Sequence, residues 1–318
     1  MQIKSLIEAG ENHRKQKAFA PAVEVFHQAL ELEPNNLTAI KGLADAYRGL
    51  RDYQGCIDTW DRFLLFKPRD VSTIVRLGDA YKRLGNRERA ILRYTEALRL
   101  SPTNRYALMG LGDLYYREQN HTEALKYWVP LVQIDPRLVN IQTMVGNIFR
   151  KQLRFDLAVK HFEAALREVP DNSYAVFGMA DALRGLGEFE RALPYWRTML
   201  EIDPENQQVM TRAGDCFLRI SRLSEAEVLF KRALAIRFDR NAMLGLARIY
   251  RKQGAMEEAL QCYRDILALS PEDTRTVLQF AEALAEASGN PAAVTFLKEQ
   301  MALRPGIKEL ENALERLK

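Results

Sequence analysis

The sequence is poor in the residues that build disulfide frameworks and metal sites, with three cysteines and four histidines among 318 residues. Cys56, Cys216 and Cys262 are odd in number, far apart in sequence, and form no CxxC pair. This pattern argues against a disulfide-stabilised secreted domain and against a zinc site, and it suits a reduced compartment. We expect all three side chains to be buried and to behave as small hydrophobic groups.

Long apolar runs and a strong charge excess are also missing. No stretch approaches the roughly 18 uninterrupted apolar residues of a membrane-spanning helix, so no membrane insertion is expected. The first residues, MQIKSLIEAGENHRKQK, contain no apolar signal-peptide core, which predicts a cytoplasmic protein. An exported protein given without its N-terminal segment is the open alternative. The net charge of +4 is too weak at this length to indicate nucleic acid or an anionic membrane as partner.

The sequence instead repeats itself at a fixed interval. Residues 41–50 read KGLADAYRGL and residues 177–186 read FGMADALRGL, a separation of four times 34 residues. Prolines recur with the same interval, at positions 34, 68, 102, 136, 170 and 204. With Ile3 as position 1, position 8 is Gly or Ala in the first seven repeats, position 20 is small, and position 24 is always aromatic.

This arrangement predicts a pair of helices in each repeat. Positions 4, 7, 8 and 11 have the spacing of one helix face, and positions 20, 24 and 27 form one face of a second helix. The small residues allow the helices to approach closely, and the periodic proline fits the turn before the next helix. Because one helix pair cannot bury its apolar face alone, neighbouring pairs must stack.

The pattern resembles the tetratricopeptide repeat, and the resemblance covers almost the whole chain. It implies an all-α fold, a right-handed α-solenoid superhelix of tandem helix-turn-helix repeats. One superhelix is predicted over residues 3–307, and residues 308–318 are expected to form a C-terminal capping helix. The predicted repeats span 3–36, 37–70, 71–104, 105–138, 139–172, 173–206, 207–239, 240–273 and 274–307.

The seventh repeat departs from this pattern where it ends. Phe238 stands where proline is expected, and one residue is missing. Two interpretations stay open: a tolerated variant of the turn, or a changed helix angle or hinge at residues 236–242.

A second period of 68 residues lies inside the first, since tryptophan occupies position 24 in repeats two, four and six. Repeats two, four, six and eight also share glycine at position 6, namely Gly42, Gly110, Gly178 and Gly245. These glycines either compensate in a close-packed core for the large residues at position 27 of the same repeats, or open notches along the inner groove, and the two interpretations are compatible.

The resemblance implies that the first helices line a concave groove. Position 9 is mostly acidic, as at Asp45 and Asp181, and a basic residue such as Arg48 or Arg184 follows three or four residues later. The two rows either pair with each other along each helix or orient a charged partner and exclude mismatched ones.

The predicted binding site lies near the middle of this groove, where apolar side chains outside the packing pattern occur. Aromatic and methionine side chains without a core role are the usual anchors of binding surfaces. The apolar residues of the site are Tyr106, Met109, Tyr116, Met144, Tyr174 and Phe177. The polar residues are Arg117, Arg150 and Arg184, which are predicted to hold the partner segment, with Asn147 and Asp181 beside them.

No catalytic residue, metal ligand or cofactor site is predicted. The two glycines of GLGDLY at 110–115 lie inside a helix, not in a phosphate-binding loop, and the carboxylates follow the repeat instead of clustering. The sequence therefore predicts a non-catalytic scaffold that binds a protein or peptide segment in its groove. The alternative is a structural module that forms homo-oligomers through its ends or convex faces. RNA binding would require stronger positive charge and a 35-residue period, so no nucleic-acid partner is expected.

Overall fold

A computed structural model of the chain describes residues 2–317, which form 19 α-helices and no strand. The chain divides into two compact units; unit 1 ends at Val145 and unit 2 begins at Gly146. Unit 1 contains α1 (Gln2–Lys15), α2 (Phe19–Leu32), α3 (Leu37–Leu50), α4 (Tyr53–Phe66), α5 (Val71–Leu84), α6 (Arg87–Leu100), α7 (Arg105–Arg117) and α8 (His121–Ile134). The boundary between the units falls inside α9 (Val139–Lys151).

Unit 2 continues with the remaining helices. These are α10 (Phe155–Glu168), α11 (Ser173–Gly185), α12 (Phe189–Ile202), α13 (Gln207–Arg219), α14 (Leu223–Ile236), α15 (Arg240–Gln253), α16 (Met256–Leu269), α17 (Thr274–Ser288), α18 (Asn290–Leu303) and α19 (Lys308–Leu317). Within each unit, consecutive helices pack as helix-turn-helix pairs, so the expected all-α stack of tandem repeats is confirmed. The single superhelix over 3–307 and its repeat boundaries stay predictions.

The first helix of most repeats begins at an Asn or Asp N-cap two residues after the periodic proline. Asn36 Oδ1 accepts hydrogen bonds from the backbone N–H groups of Thr38 at 3.1 Å and Ala39 at 3.0 Å. Asn172 Oδ1 accepts one from Ala175 at 2.9 Å. The periodic proline has no backbone N–H to extend the preceding helix, and the side-chain cap satisfies an N–H that the next helix leaves free. The pair therefore ends one repeat and starts another.

The core of each of the first eight repeats contains the buried aromatic residue at position 24, and in the odd-numbered repeats its ring lies between two glycines. A Cβ atom added at Gly178 would lie 2.3 Å from Phe162 Cζ, and one added at Gly146 would lie 2.8 Å from Phe162 Cε1. Such distances are far below van der Waals contact, so only glycine permits this approach. The same arrangement surrounds Phe26, Tyr94 and Phe230.

The even-numbered repeats use a different arrangement. Their aromatic residue is Trp60, Trp128, Trp196 or Tyr263, and position 6 of the following repeat carries a long side chain instead of glycine. The guanidinium carbon of Arg76 lies 5.3 Å from the centroid of the Trp60 ring. The 68-residue period is therefore an alternation of two packing modes. The position 6 glycines are packing residues, but the ring that each one admits stands at position 24 of the preceding repeat and not at position 27. That ring fills the space on the Cβ side of the glycine. Compensation for the large residues at position 27 stays a prediction.

The missing residue of the seventh repeat shortens one linker. Three residues, 237–239, separate α14 from α15, whereas four residues separate each earlier second helix from the next first helix. Arg237 is fully extended, with φ −164° and ψ 154°, and the Gln207 Nε2 group donates to the Ala233 carbonyl oxygen at 2.9 Å. The shortened linker is thus extended at Arg237, and a tolerated variant of the turn stays one of the two interpretations. A changed helix angle there stays a prediction.

The last helix packs along one apolar face. Leu310 and Leu314 of α19 are buried in a cluster with Val277, Ala281 and Leu297 of α17 and α18. Ala313 and Leu317, which the sequence places on the same face, pack at the edge of this cluster. The role of α19 as a cap stays a prediction.

Candidate functional site

The first helix of a repeat carries many of the polar groups that connect successive repeats, and we call the surface formed by the first helices of each unit its first-helix face. In unit 1 these connections centre on Asp45 of α3, whose side chain is only 8% exposed. Its carboxylate lies 3.8 Å from Arg14 Nη1 and 3.4 Å from Arg48 Nη2, and it also pairs with Arg76. These four residues, the unit 1 hub, place three positive charges around one negative charge.

Unit 2 contains the same arrangement at equivalent repeat positions, 136 residues later. The Asp181 carboxylate lies 2.5 Å from Arg150 Nη1 and 2.9 Å from Arg184 Nη2, and it also pairs with Arg212. We call these four residues the unit 2 hub. Burial would raise the pKa of Asp181, but hydrogen bonds and charge attraction from Arg212 and Arg184 outweigh burial and hold that pKa below its ordinary value.

An aromatic ring packs against the unit 2 hub. The guanidinium carbons of Arg150 and Arg212 lie 6.0 Å and 5.2 Å from the centroid of the Phe177 ring. Phe177 also packs edge-to-face against Trp196, with the ring centroids 5.4 Å apart. This ring therefore contacts both the core and the charged surface. The two cation–π contacts help to hold the guanidinium groups of Arg150 and Arg212 in place.

Two recesses lie beside the unit 1 hub. The larger has a volume of 690 Å³, and its charged lining residues are Arg14, Asp45, Arg48, Arg51, Arg76, Asp79, Lys82 and Arg83. The second, of 580 Å³, is lined by Arg48, Arg76, Asp79 and Tyr106 among others. Both volumes are in the range of binding pockets.

Two further recesses lie in unit 2, and the first of them borders the unit 2 hub. One has a volume of 340 Å³, and its charged lining residues are Arg184, Arg212, Asp215, Arg219, Arg240, Arg248 and Arg275. The other, of 620 Å³, shares Arg219 and Arg248 with the first and adds Arg251, Lys252 and Glu286. Positive charge thus exceeds negative charge in both linings.

The predicted site residues of unit 1 differ in their exposure. Tyr106 is 71% exposed, Arg117 is exposed, and Met109 and Met144 are half-buried. Tyr116 is half-buried because its ring lies 5.0 Å from the centroid of Trp128. Among the described residues of this unit, none of these five shares a hydrogen bond or a ring contact with another.

In unit 2 the structure brings most of the predicted residues together. Arg150, Asp181 and Arg184 belong to the hub, Phe177 packs against Arg150, and Arg150 Nε donates to Asn147 Oδ1 at 3.4 Å. Tyr174, on the same helix as Asp181, is 76% exposed. The side chains that could meet a partner are therefore Tyr174, part of Phe177, and the outer atoms of the arginines.

The acidic and basic rows do pair with each other, but many of the pairs join neighbouring repeats instead of residues of one helix. Arg150 and Asp181 are 31 residues apart, and Lys82 Nζ likewise reaches Asp113 Oδ2 at 3.4 Å. The sequence-based site omitted Arg76 and Arg212, although a long cationic side chain at the position where alternate repeats carry glycine was a usable signal.

The cysteines are buried, as expected, and burial raises the pKa of each thiol to about 11. Within residues 2–317, no three His, Cys, Asp or Glu side chains come together in a way that could hold a metal ion. Among the described helices, none has the length and apolar character needed to cross a membrane.

Comparison with protein families gives one consistent match. A family model described as tetratricopeptide repeat matches residues 75–131, 144–206 and 177–239, and a second model of the same description matches residues 242–276. Together these matches cover more than half of the chain.

Similar curated proteins match over limited regions. The chain is 26% identical over 187 residues to a DnaJ homolog subfamily C member 7 homolog of Schizosaccharomyces pombe, covering 53% of this chain and 39% of that protein. It is 29% identical over 119 residues to the general transcriptional corepressor ssn6 of the same yeast, covering 36% of this chain and 11% of that protein. The chain thus spans well under half the length of these relatives.

Two solved structures share the fold. The C-terminal part of a tetratricopeptide-repeat protein from Cytophaga hutchinsonii matches 85% of this chain and 98% of its own, with a TM-score of 0.53 at 16% identity. YrrB, described as a tetratricopeptide-repeat protein with an unusual peptide-binding site, matches 59% of this chain and 95% of its own, with a TM-score of 0.51 at 20% identity.

Proposed function

Since this chain belongs to the tetratricopeptide-repeat family, we propose that it is a non-catalytic scaffold that binds a segment of a partner polypeptide on its first-helix face. Repeats of this family are general protein-interaction scaffolds, and their partners are proteins or peptides. The finer statements, that the first helices bind the partner and that the chain itself catalyses no reaction, are our proposal.

The observation that carries the proposal is the exposure of two tyrosines on the first helices. Tyr106 and Tyr174 occupy the same repeat position, 68 residues apart, and are 71% and 76% exposed. Tyrosine is enriched at binding surfaces because its large ring can be covered while its hydroxyl keeps a hydrogen bond. Tyr106 also lines a recess with Arg48 and Arg76, which supports a role for the hub arginines in orienting the partner.

The test is affinity capture from a native lysate with the parent chain and with a Tyr106→Ala/Tyr174→Ala variant as baits. Because both side chains are largely exposed, their removal should leave the thermal unfolding midpoint nearly unchanged. We expect the variant to lose a partner that the parent retains, as seen by quantitative mass spectrometry.

The matched control is a Leu65→Ala/Leu303→Ala bait, which removes two equally exposed apolar side chains from the second helices. Their exposed fractions are 79% and 75%. This control should retain the partner. If the tyrosine variant and the control capture the same proteins as the parent, the first-helix face is not the binding surface.

One observation favours self-association as a second candidate function. A mostly apolar recess of 370 Å³ opens among α12, α13 and α14, where Trp196, Phe217 and the exposed Val228 contribute to its lining. A second copy of the chain that covered this recess would make the molar mass in solution depend on concentration. Light scattering over a dilution series tests it, since a constant monomer mass excludes this candidate.

A further inference from the structure

The 340 Å³ recess of unit 2 contains arginines that pair with carboxylates of this unit and arginines that do not. Arg184 and Arg212 pair with Asp181, and Arg240 pairs with Asp273. Arg248 and Arg275, which line the same 340 Å³ recess, make no hydrogen bond or ion pair within residues 2–317. The recess therefore holds two guanidinium groups whose hydrogen-bond donors are free for a ligand.

Unit 1 provides an internal reference for these two residues. Its hub has the same four residue types at the same repeat positions, but the equivalent of Arg248 is Asp113 and the equivalent of Arg275 is Asn140. Exchanging an aspartate for an arginine and an asparagine for an arginine makes the surface beside the unit 2 hub more positive by three charges. The repeat framework accommodates either set, so folding does not require the arginines at these positions.

We propose that this recess of unit 2, built on Arg248 and Arg275 beside the hub, binds an acidic segment of a polypeptide. A guanidinium group binds a carboxylate through two parallel N–H donors. Its delocalised charge is also more weakly hydrated than the ammonium group of lysine, so arginine suits such a contact better than lysine. The recess is large enough for several side chains. The proposal deepens the scaffold function and rests on it, because it names the chemistry of the partner segment.

A polypeptide suits this surface better than a nucleic acid. Asp215 and Glu286 stand among the arginines and would repel a continuous phosphate backbone, whereas carboxylates spaced along a peptide can avoid them. The one aromatic residue in the linings, Phe230, is buried and offers no surface on which a base could stack. An acidic peptide is therefore the ligand that we expect in this recess.

The test exchanges the two arginines for the residues of unit 1, in an Arg248→Asp/Arg275→Asn variant of the full chain. Binding is measured by fluorescence anisotropy with a labelled peptide of alternating glutamate and serine, and with the same peptide carrying glutamine for glutamate. The parent should bind the glutamate peptide and not the glutamine peptide, and the variant should bind the glutamate peptide about tenfold more weakly or worse. The parent's affinity should also fall as salt is added.

The matched control is Arg167→Asn/Lys298→Asp, which changes the net charge by the same amount on the second helices α10 and α18. This control should bind the glutamate peptide as the parent does. Equal weakening in the control and in the Arg248→Asp/Arg275→Asn variant would overturn the proposal, because net charge alone would then explain the binding. Arg248→Gln/Arg275→Gln serves as a second variant that removes charge without introducing a carboxylate, and it should also weaken binding.

Two other outcomes would overturn the proposal. In one, a labelled oligouridylate of the same net charge binds more tightly than the peptide and is lost in the arginine variant, which would make the recess a nucleic-acid site. In the other, the arginine variants bind the glutamate peptide as the parent does. The scaffold function is tested separately, by capture with the Tyr106→Ala/Tyr174→Ala variant. Either of these two outcomes would therefore leave the scaffold function standing if partner capture still depends on Tyr106 and Tyr174.

Discussion

At the scale of single residues, the hub aspartates show how a charged group is kept inside this fold. Asp181 is only 5% exposed, and a carboxylate at that depth is stable as an ion only when it is paired and hydrogen-bonded. Its three arginines come from three successive first helices, so the side chain fastens neighbouring repeats together. The repulsion among the arginines is offset by the aspartate and by water on their exposed sides.

We predict that Asp181→Asn destabilises the chain at neutral pH by about 1–3 kcal/mol, because the arginines lose their shared counter-charge. The lowered pKa of Asp181 means that its stabilising effect is complete above the ordinary carboxyl pKa of about 4 and disappears as pH falls through the lowered value. The difference between parent and variant should therefore be constant near neutrality and shrink below about pH 4. Urea midpoints over a pH series measure it.

Asp171→Asn is the control for this series, since Asp171 is exposed and lies in the linker that precedes α11, the helix of Asp181. It should leave the urea midpoint unchanged at every pH. A penalty for Asp181→Asn that grows as the pH falls would contradict the assigned role of the hub.

At the scale of helices and repeats, most of the fold can be predicted because each element carries its own local signal. The proline and the Asn or Asp cap mark where a first helix begins, and position 24 marks the core of the second. The alternation between repeats is visible in the sequence as well, but its cause is not. Whether Gly178 opened a notch or admitted a ring depended on where Phe162 of the preceding repeat points, which is a three-dimensional fact.

The close packing of Gly178 against Phe162 predicts that alanine at this position lowers the stability of the chain, whereas helix propensity alone predicts that it raises it. Alanine in place of a helical glycine ordinarily stabilises a helix by up to about 1 kcal/mol. Gly178→Ala should instead destabilise the chain by about 1–3 kcal/mol, because the new Cβ atom would lie 2.3 Å from Phe162 Cζ.

The double variant Gly178→Ala/Phe162→Leu isolates this contact. With the ring removed, the alanine should cost less than it does in the parent, giving a coupling of at least about 0.5 kcal/mol in a double-mutant cycle of urea midpoints. Purely additive effects would show that the ring and the glycine do not pack as described.

The candidate site was harder to predict than the fold because its long side chains contact residues of neighbouring repeats. Repeat position identifies which helix a residue occupies, and so Arg150, Asp181 and Arg184 could be assigned to one surface. It does not say which partner a long side chain selects: Arg150 and Arg212 reach Asp181 from the repeats on either side, whereas Arg184 pairs with it within one helix. Tyr116 shows the converse error, since its position suggests exposure but its ring packs on Trp128.

At the scale of the whole chain, the two units present the same hub with different surroundings. Unit 1 carries Asp113 and Asn140 where unit 2 carries Arg248 and Arg275, and each unit displays one exposed tyrosine. Duplication of a stable framework followed by change at exposed positions explains both the similarity and the difference. The framework residues determine the fold, and the exposed positions determine what each surface can bind.

The most direct test of the scaffold function is site-specific photocrosslinking in native lysate, with benzoylphenylalanine placed in turn at positions 106, 174, 65 and 303. The first two lie on first helices and the last two on second helices, and all four parent side chains are more than two-thirds exposed. We predict crosslinks to a partner polypeptide from positions 106 and 174 and none from positions 65 and 303. Crosslinks from positions 65 and 303 alone, or from none of the four, would contradict binding on the first-helix face.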